Sequence, residues 1–327
     1  MSSIKAVFID SEGTLRNPKH KIDELTKNTI KKFVENNIHF VVTTGLPRFI
    51  TKKICMDANA SKYIICSNGA DIYNLDSNTS IASDYLNNDI IREIYDLVRH
   101  DYNLILGVGD YEYSNTMNGY NINSKIINDD KILSNEKFYQ CHISQKTLDF
   151  SKDDFGREIY DFFEKNSINE LEGLLDSKLL FKLYDNIFDL SNLDRNEIMV
   201  IIRAIRFIKL KNLKDYLLCT YDDLSIGNRC IDFDKFHYDT EIPWFTLNKN
   251  GVSKGSAILK LCNYLNINPQ DVIAIGNDYN DKSMISVCGS FICPNNSLNT
   301  IKNHSSLQYD NNDGIGKVLV KMYDRCK

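Results

Sequence analysis

The sequence lacks the features that would place the protein in or across a membrane. In its 327 residues no apolar run approaches the roughly 20 residues that a membrane-spanning helix needs. The opening segment MSSIKAVFID also lacks the basic region, apolar core and small-residue cleavage site of a secretory signal. Hydrophobic residues at 43% and charged residues at 25% are close to globular averages. We therefore expect a soluble, cytoplasmic protein.

Two further absences argue against other classes of function. The nine cysteines are odd in number and form no C-x-x-C pair, which argues against a disulfide framework and against a zinc site. The net charge of -5 comes without a long basic run, so a nucleic acid is not an expected partner. Local binding of small anions stays open, and the sequence does not fix the oligomeric state.

Four apolar, β-rich runs predict strands that are covered on both faces. They are AVFID at 6–10, FVVTT at 40–44, YIICSNGADIY at 63–73 and VIAIG at 272–276. The segments at 22–37 and 253–265 each place apolar residues on one helical face. Strands that alternate with helices predict an α/β fold with a doubly wound parallel sheet. Such sheets bind ligands at the carboxyl ends of their strands.

Chain length and a local change in composition together predict a second domain inserted into the first. A chain of 327 residues exceeds what one hydrophobic core usually organises. From about residue 81 to Trp244, a segment richer in Asn, Asp, Tyr and Lys, with its own amphipathic helices, interrupts the alternation. We predict a core domain of residues 1–82 and 245–327, and an inserted domain of residues 83–244.

The stretch FIDSEGTL at 8–15 holds two acids just past a predicted strand. A turn would keep the carboxylates of Asp10 and Glu12 close together, which suits a nucleophile with an acid/base neighbour. Taken alone, the same stretch is equally typical of a strand that ends in an Asp/Gly turn.

Asp10-Ser11-Glu12-Gly13-Thr14-Leu15 resembles the D-x-D-G-T-L signature of the haloacid dehalogenase (HAD) superfamily of phosphohydrolases. Three segments that resemble the later motifs of this family follow in the same order: VVTTGLP, NGVSKG and IGNDYNDKSM. CSNGADIY is similar to a strand of the Cof-type branch, which carries a large α/β cap domain where this sequence has its insertion. The resemblance covers roughly residues 4–82 and 245–325.

This resemblance implies a mechanism and a cofactor. Asp10 would attack the phosphorus of a small phosphorylated substrate and form a transient aspartyl phosphate, while Glu12 would serve as general acid and base. Mg²⁺ would bind Asp10, the backbone carbonyl of Glu12, Asn277 and Asp281.

The resemblance also implies a phosphate site. Thr44 and the amides near it at Gly45, together with the ammonium of Lys254, would hold the phosphoryl oxygens, with Asn280 close to the same cluster. Asp281 could instead orient Lys254 or a metal-bound water.

Three residues depart from the pattern of the family. Glu12 replaces an Asp and carries its carboxyl one methylene farther out, Asn277 replaces a metal-binding Asp, and Leu46 replaces a common Arg. A misplacement of about 1 Å can cost on the order of 100-fold in rate. Two hypotheses follow: a Mg²⁺-dependent phosphatase of a small metabolite such as a sugar phosphate, or a pseudophosphatase that binds a phosphorylated ligand or protein partner with little or no turnover.

Overall fold

The computed structural model describes residues 4–17, 19–116, 124–127, 130–146, 154–185, 190–229, 243–310 and 314–325. Across these ranges, none of the helices combines the length and the apolar character required to span a bilayer. The strands, in chain order, are β1 (Ala6–Ile9), β2 (His39–Thr43), β3 (Tyr63–Cys66), β4 (Asp71–Asn74), β5 (Thr79–Ser83), β6 (Tyr102–Gly107), β7 (Glu112–Ser114), β8 (Ser124–Ile126), β9 (Gln140–Gln145), β10 (Leu224–Arg229), β11 (Trp244–Lys249), β12 (Val272–Ile275), β13 (Ser290–Pro294) and β14 (Leu307–Tyr309).

The α-helices lie between these strands and cover both sheets. They are α1 (Glu24–Glu35), α2 (Arg48–Asp57), α3 (Asn88–Val98), α4 (Asp130–Asn135), α5 (Phe155–Phe163), α6 (Ser177–Asp185), α7 (Arg195–Thr220), α8 (Lys254–Leu265), α9 (Lys282–Ile285), α10 (Asn299–Lys302) and α11 (Gly316–Asp324).

The larger sheet has the strand order β14-β13-β12-β1-β2-β3-β4-β5, and every pair from β14 to β3 is parallel. The central strand β1 is fully buried. Its Val7 packs in one hydrophobic cluster with Phe33 of α1, while Phe8 packs in another with Leu261 of α8. Helices on both faces of a parallel sheet confirm the predicted doubly wound α/β fold.

The predicted single strand at 63–73 is wrong in one respect. Cys66 ends β3, and the chain reverses so that β4 runs antiparallel to it. Ser67, Asn68 and Gly69 have φ values of 50°, 58° and 104°, in the left-handed region that a continuous strand does not visit. The reversal brings Asn68 to the edge of the sheet where β1 and β2 also end.

The second sheet has the strand order β10-β11-β9-β6-β7-β8. One of its faces packs on α3, α5 and α7 through a separate hydrophobic cluster. The predicted division cuts β11, which pairs with β9 and β10 inside this sheet. We propose that the inserted domain, called the cap from here on, extends through Lys249.

Arg48, at the start of α2, joins the core to the cap. Its Nε donates to Asp71 Oδ2 of β4 at 2.7 Å, and its Nη2 donates to the Tyr139 hydroxyl of the cap at 2.9 Å. Its Nη1 lies 3.3 Å from Asp110 Oδ2, also in the cap. The Arg48 and Asp71 side chains are buried, so the ion pair is screened little by solvent. These contacts hold the cap over the carboxyl ends of β1 and β2.

Candidate active site

Asp10 lies at the carboxyl end of β1, at the centre of the larger sheet. Its backbone N–H donates to Ile275 O of β12 at 2.9 Å, which extends the sheet pairing by one residue. The residue is only 6% exposed. A carboxylate is therefore held at the sheet edge, with little freedom to move.

Lys254 joins Asp10 to Asp281. Its Nζ donates to Asp10 Oδ1 and to Asp281 Oδ1, each at 2.6 Å, and the ammonium is fully buried. Burial raises the pKa of Asp10 to about 7, against the lowering effect of Lys254, and the charge of Asp281 adds to the rise. Burial disfavours the ammonium of Lys254, yet the two carboxylates outweigh it and raise the pKa of Lys254.

Local sequence explains why Lys254 reaches this point. Ser253 is the N-cap of α8 and forms a capping box with Ser256, so Lys254 is the first residue of the helix. A Cβ on Gly255 would lie 2.1 Å from Ser283 O, so only glycine permits this approach of α8 to α9, which directly follows Asp281. That approach brings Lys254 and Asp281 together.

Asp281 also organises the loop after β12. Its Oδ2 accepts from the backbone N–H groups of Asn277 at 2.8 Å and Asp278 at 3.0 Å, while its Oδ1 accepts from Lys254. The side chain of Asn277 turns to Thr14, whose hydroxyl donates to Asn277 Oδ1 at 2.8 Å. The last motif segment, IGNDYNDKSM, therefore lies directly beside the first, DSEGTL.

Thr44 follows β2 and meets the residue after Asp10. Its Oγ1 lies 2.9 Å from Ser11 Oγ, and the N–H of Leu46 donates to it at 3.2 Å. A Cβ on Gly45 would lie 2.7 Å from Asn68 Oδ1, so a larger residue at position 45 would displace the Asn68 amide. The same oxygen accepts from Asn280 Nδ2 at 3.0 Å. Asn68, which was not predicted from the sequence, links the VVTTGLP and IGNDYNDKSM segments.

Glu12 lies at the rim rather than in the buried network. Its carboxylate pairs with Arg16 Nη1 at 2.5 Å and with His20 Nδ1 at 2.8 Å, and its side chain is 40% exposed. Neither Arg16 nor His20 was a predicted site residue. The signal in the sequence for Arg16 was its position four residues after Glu12, with which it pairs.

A cavity of about 760 Å³ lies between the two sheets. On the core side it is lined by five of the predicted site residues, Asp10, Glu12, Thr44, Gly45 and Asn280. Lys254 and Asp281 are buried behind Asp10, and the side chain of Asn277 bonds to Thr14. The structure therefore brings all eight predicted residues to one region.

The cap side of the cavity was not foreseen. Gln140, His142 and Ser144 of β9 and Trp244 and Thr246 of β11 line it. Alternation of polar and apolar residues along β9 was the signal in the sequence, but alternation alone does not tell which face meets another domain.

The donor set of this region is that of a hard cation. The described residues contain no group of three or more His, Cys, Asp and Glu side chains that could hold a metal. Asp10 and Asp278 nevertheless contribute carboxylates to the cavity wall, and Asn277 places an amide oxygen beside Thr14. Mg²⁺ commonly uses one or two carboxylates, substrate phosphate and water, so these oxygens fit it and no nitrogen or sulfur ligand is required.

Comparison with known families decides the identity. The haloacid dehalogenase-like hydrolase family matches residues 7–319. The chain belongs to this family. The predicted HAD membership and enzyme type are confirmed, and phosphatases of this family generally depend on Mg²⁺.

Relatives and solved structures agree with this membership over nearly the whole chain. A putative phosphatase of Buchnera aphidicola is 25% identical over 98% of this chain and 96% of its own length. Phosphatase YwpJ of Bacillus subtilis is 22% identical over 96% of this chain and 97% of its own. The structure of the HAD phosphatase BT1666 of Bacteroides thetaiotaomicron covers 98% of this chain and 95% of its own, with a TM-score of 0.65 and 15% identity. The present chain therefore shares the fold of BT1666.

Proposed function

We propose that this protein hydrolyses the phosphate monoester of a small metabolite, such as a sugar phosphate, through an aspartyl phosphate on Asp10. One observation carries the proposal: the Asp10 carboxylate lines the cavity while Lys254, which also pairs with Asp281, holds it from behind. A buried, oriented carboxylate at the open end of a parallel sheet is suited to act as a nucleophile.

Two displacements at phosphorus complete the reaction. An oxygen of Asp10 attacks the phosphorus, the bond to the leaving oxygen breaks, and Glu12, which enters this step as the protonated acid, gives the proton that the leaving oxygen takes up. Glu12 then accepts a proton from water, which attacks the phosphorus and releases inorganic phosphate with Asp10 restored. The link of Glu12 to Arg16 keeps its carboxylate at the cavity rim between the two steps.

The charge that develops on the phosphoryl oxygens requires fixed donors. Three donors lie along the cavity wall: the Thr44 hydroxyl, the amide of Gly45 and the side-chain amide of Asn280. The ammonium of Lys254 lies behind Asp10. Donors that are already oriented need no reorganisation when charge develops, which lowers the barrier.

The groups that would hold Mg²⁺ are the carboxylate of Asp10, the carbonyl of Glu12 and the side-chain oxygens of Asn277 and Asp278. The bound ion would neutralise charge on the phosphoryl group. Asp281, with three donors already on its carboxylate, orients Lys254 and the loop at 277–278 instead.

The choice of a sugar phosphate rests on relatives and on size. The HAD subclass IIB phosphatase BT4131 is described as a sugar phosphatase and shares the fold with a TM-score of 0.63 at 13% identity. A cavity of about 760 Å³ accommodates a small organic phosphate. Nothing in the comparisons supports the alternative of a scaffold without turnover, and the cytoplasmic location stays a prediction.

Phosphate release from p-nitrophenyl phosphate and from a panel of sugar and nucleotide monophosphates tests the function. We expect turnover with Mg²⁺, loss of turnover in excess EDTA, and recovery when Mg²⁺ is restored. A chain that binds phosphorylated compounds but releases no phosphate from any of them would contradict the proposal and favour the scaffold.

The Asn277→Asp variant is expected to bind Mg²⁺ about tenfold more tightly, because it adds a carboxylate to a site with few of them. The Thr14 hydroxyl can donate to the new carboxylate as it does to the amide oxygen. The measurement is the Mg²⁺ concentration that gives half-maximal phosphate release. Asn263→Asp, at an exposed position of α8, is the control. An unchanged Mg²⁺ dependence would remove Asn277 from the ligand set.

A further inference from the structure

One face of the cap sheet meets the cavity with polar side chains. Gln140, His142 and Ser144 line the cavity, while Cys141 and Ile143, which alternate with them along β9, pack in the hydrophobic cluster of the cap. Because neighbouring side chains of a strand point to opposite faces, these three polar residues of β9 face the core site, while Gln145 points to the opposite face and donates to Arg206 O.

The adjacent strand extends this surface. In the β9–β11 pairing, Trp244 lies opposite Ser144 and Thr246 lies opposite His142. The rings of His142 and Trp244 are 4.9 Å apart, and His142 Nδ1 lies 3.3 Å from Thr246 Oγ1. Gln140, His142, Ser144, Trp244 and Thr246 together form what we call the cap patch.

Two atoms of the cap patch have no hydrogen-bond partner among the described residues: Gln140 Oε1 and Ser144 Oγ. Gln140 is 7% exposed and Ser144 is 3% exposed. A buried polar atom without a partner is unfavourable, and such atoms in native proteins usually have a reason. Both side chains line the cavity, and rotation about the side-chain bonds would turn each unpaired atom toward the hydroxyl groups of a bound ligand.

Carboxylates but no lysine or arginine lie among the described residues that line the cavity. The described side chains that line the cavity include the carboxylates of Glu12, Glu112 and Asp278 besides that of Asp10, and none of them is a Lys or Arg. Burial lowers the pKa of His142 to about 4, so its imidazole is neutral near neutral pH. Among the described residues, the lining of the cavity near the cap patch thus offers hydrogen bonds but no cationic side chain for a second anionic group.

We propose that Gln140 and Ser144 determine substrate specificity: they hydrogen-bond to hydroxyl groups of an uncharged leaving group, and the surrounding carboxylates disfavour substrates with a second negative charge. The proposal rests on the proposed phosphatase function, because it places the phosphoryl group at Asp10 and the leaving group at the cap patch. Trp244 supplies an aromatic ring beside the same hydroxyl-bearing chain.

Sorbitol phosphate and phosphogluconate, phosphorylated at the same end of a six-carbon chain, provide a matched test. They differ at the far end, where one has a hydroxymethyl group and the other a carboxylate. We expect kcat/KM for sorbitol phosphate to exceed that for phosphogluconate by at least about tenfold, since a like charge without a counterion is unfavourable. Equal values, or a preference for phosphogluconate, would overturn the proposal.

Variants assign the effect to residues. Gln140→Leu and Ser144→Ala should each lower the ratio of kcat/KM for sorbitol phosphate to that for p-nitrophenyl phosphate by about 5- to 20-fold. Neither should reduce the free energy of unfolding, because each removes an unpaired atom.

Gln145→Leu is the matched control: Gln145 lies on the same strand but donates to the backbone carbonyl of Arg206. It should lose stability and keep the ratio. An unchanged ratio in both test variants contradicts the proposal.

Binding separates this inference from the proposed function. Calorimetric titration of the Asp10→Asn variant with both compounds should show tighter binding of sorbitol phosphate, weakened by Gln140→Leu. If no compound is hydrolysed but this preference holds, the phosphatase function fails and the specificity assignment stands. If p-nitrophenyl phosphate is hydrolysed and the preference is absent, the assignment fails and the function stands.

Discussion

Phosphate release by the Asp10→Asn variant is expected to fall at least about 10⁴-fold below that of the wild-type chain. The amide oxygen keeps the shape of the side chain and can still accept the hydrogen bond that Lys254 donates to Asp10 Oδ1 at 2.6 Å. It cannot attack phosphorus as a carboxylate does. The measurement is phosphate release from p-nitrophenyl phosphate with saturating Mg²⁺.

The matched control for this loss is Asp76→Asn, in which a carboxylate that is 67% exposed and pairs with Lys62 becomes an amide. It should release phosphate at the wild-type rate. A second check is chemical: brief exposure of the wild-type chain to labelled substrate, followed by acid quench, should leave the label on Asp10. Turnover of Asp10→Asn within about tenfold of wild type would show that another residue is the nucleophile.

The Lys254→Met variant is expected to lose about 3–5 kcal/mol of stability, because it leaves two buried carboxylates facing each other without their cation. Asp10 and Asp281 each accept from this ammonium at 2.6 Å, and the Lys254 side chain has no exposed surface. The measurement is urea unfolding in the absence of Mg²⁺. Lys260→Met is the control on the same helix: its ammonium pairs with Asp84 at a site where the side chains are 43% and 25% exposed. It should cost no more than about 1 kcal/mol.

The loss in Lys254→Met should depend on pH. Burial already raises the pKa of Asp10 from 3.8 to about 7, and removal of the cation that opposes this rise increases it further. A carboxyl whose folded pKa lies above its unfolded value binds a proton more readily when folded, so stability falls as pH rises through this window. The deficit of the variant relative to wild type should therefore be larger at about pH 8 than at about pH 5. Equal deficits at the two pH values would mean that packing, not charge, is lost.

Much of the core fold was predictable because its signals are local. Four apolar residues in β1 have no polar neighbour to alternate with, which is typical of a strand covered on both faces. Since parallel strands end at the same edge, Asp10 and Thr44 could be placed together without coordinates. The hairpin of β3 and β4 escaped prediction, because its reversal depends on the left-handed backbone of Ser67 and Asn68, and neither residue requires that conformation.

The site was predictable as a set of residues but not as a network. The motif resemblance identified Lys254 and Asp281, yet their separation of 27 residues does not show that one ammonium joins two carboxylates. The partners of Glu12 depend on how the loop after Glu12 folds back. The contact between Asn68 and Asn280 spans 212 residues and has no local signal at all.

The sequence alone determined the doubly wound α/β class of the core, the insertion, and the acids and lysine that the HAD motifs bring to one sheet edge, because each of these depends on short-range pattern or motif spacing. Only the tertiary structure decided which face of the cap sheet meets that edge. That choice depends on packing between domains, including the hydrogen bond to Tyr139 of the cap from Arg48, which a buried ion pair with Asp71 holds in the core. The side chains of Gln140 and Ser144 face Asp10 across the cavity because the opposite face of β9 is already buried against helices.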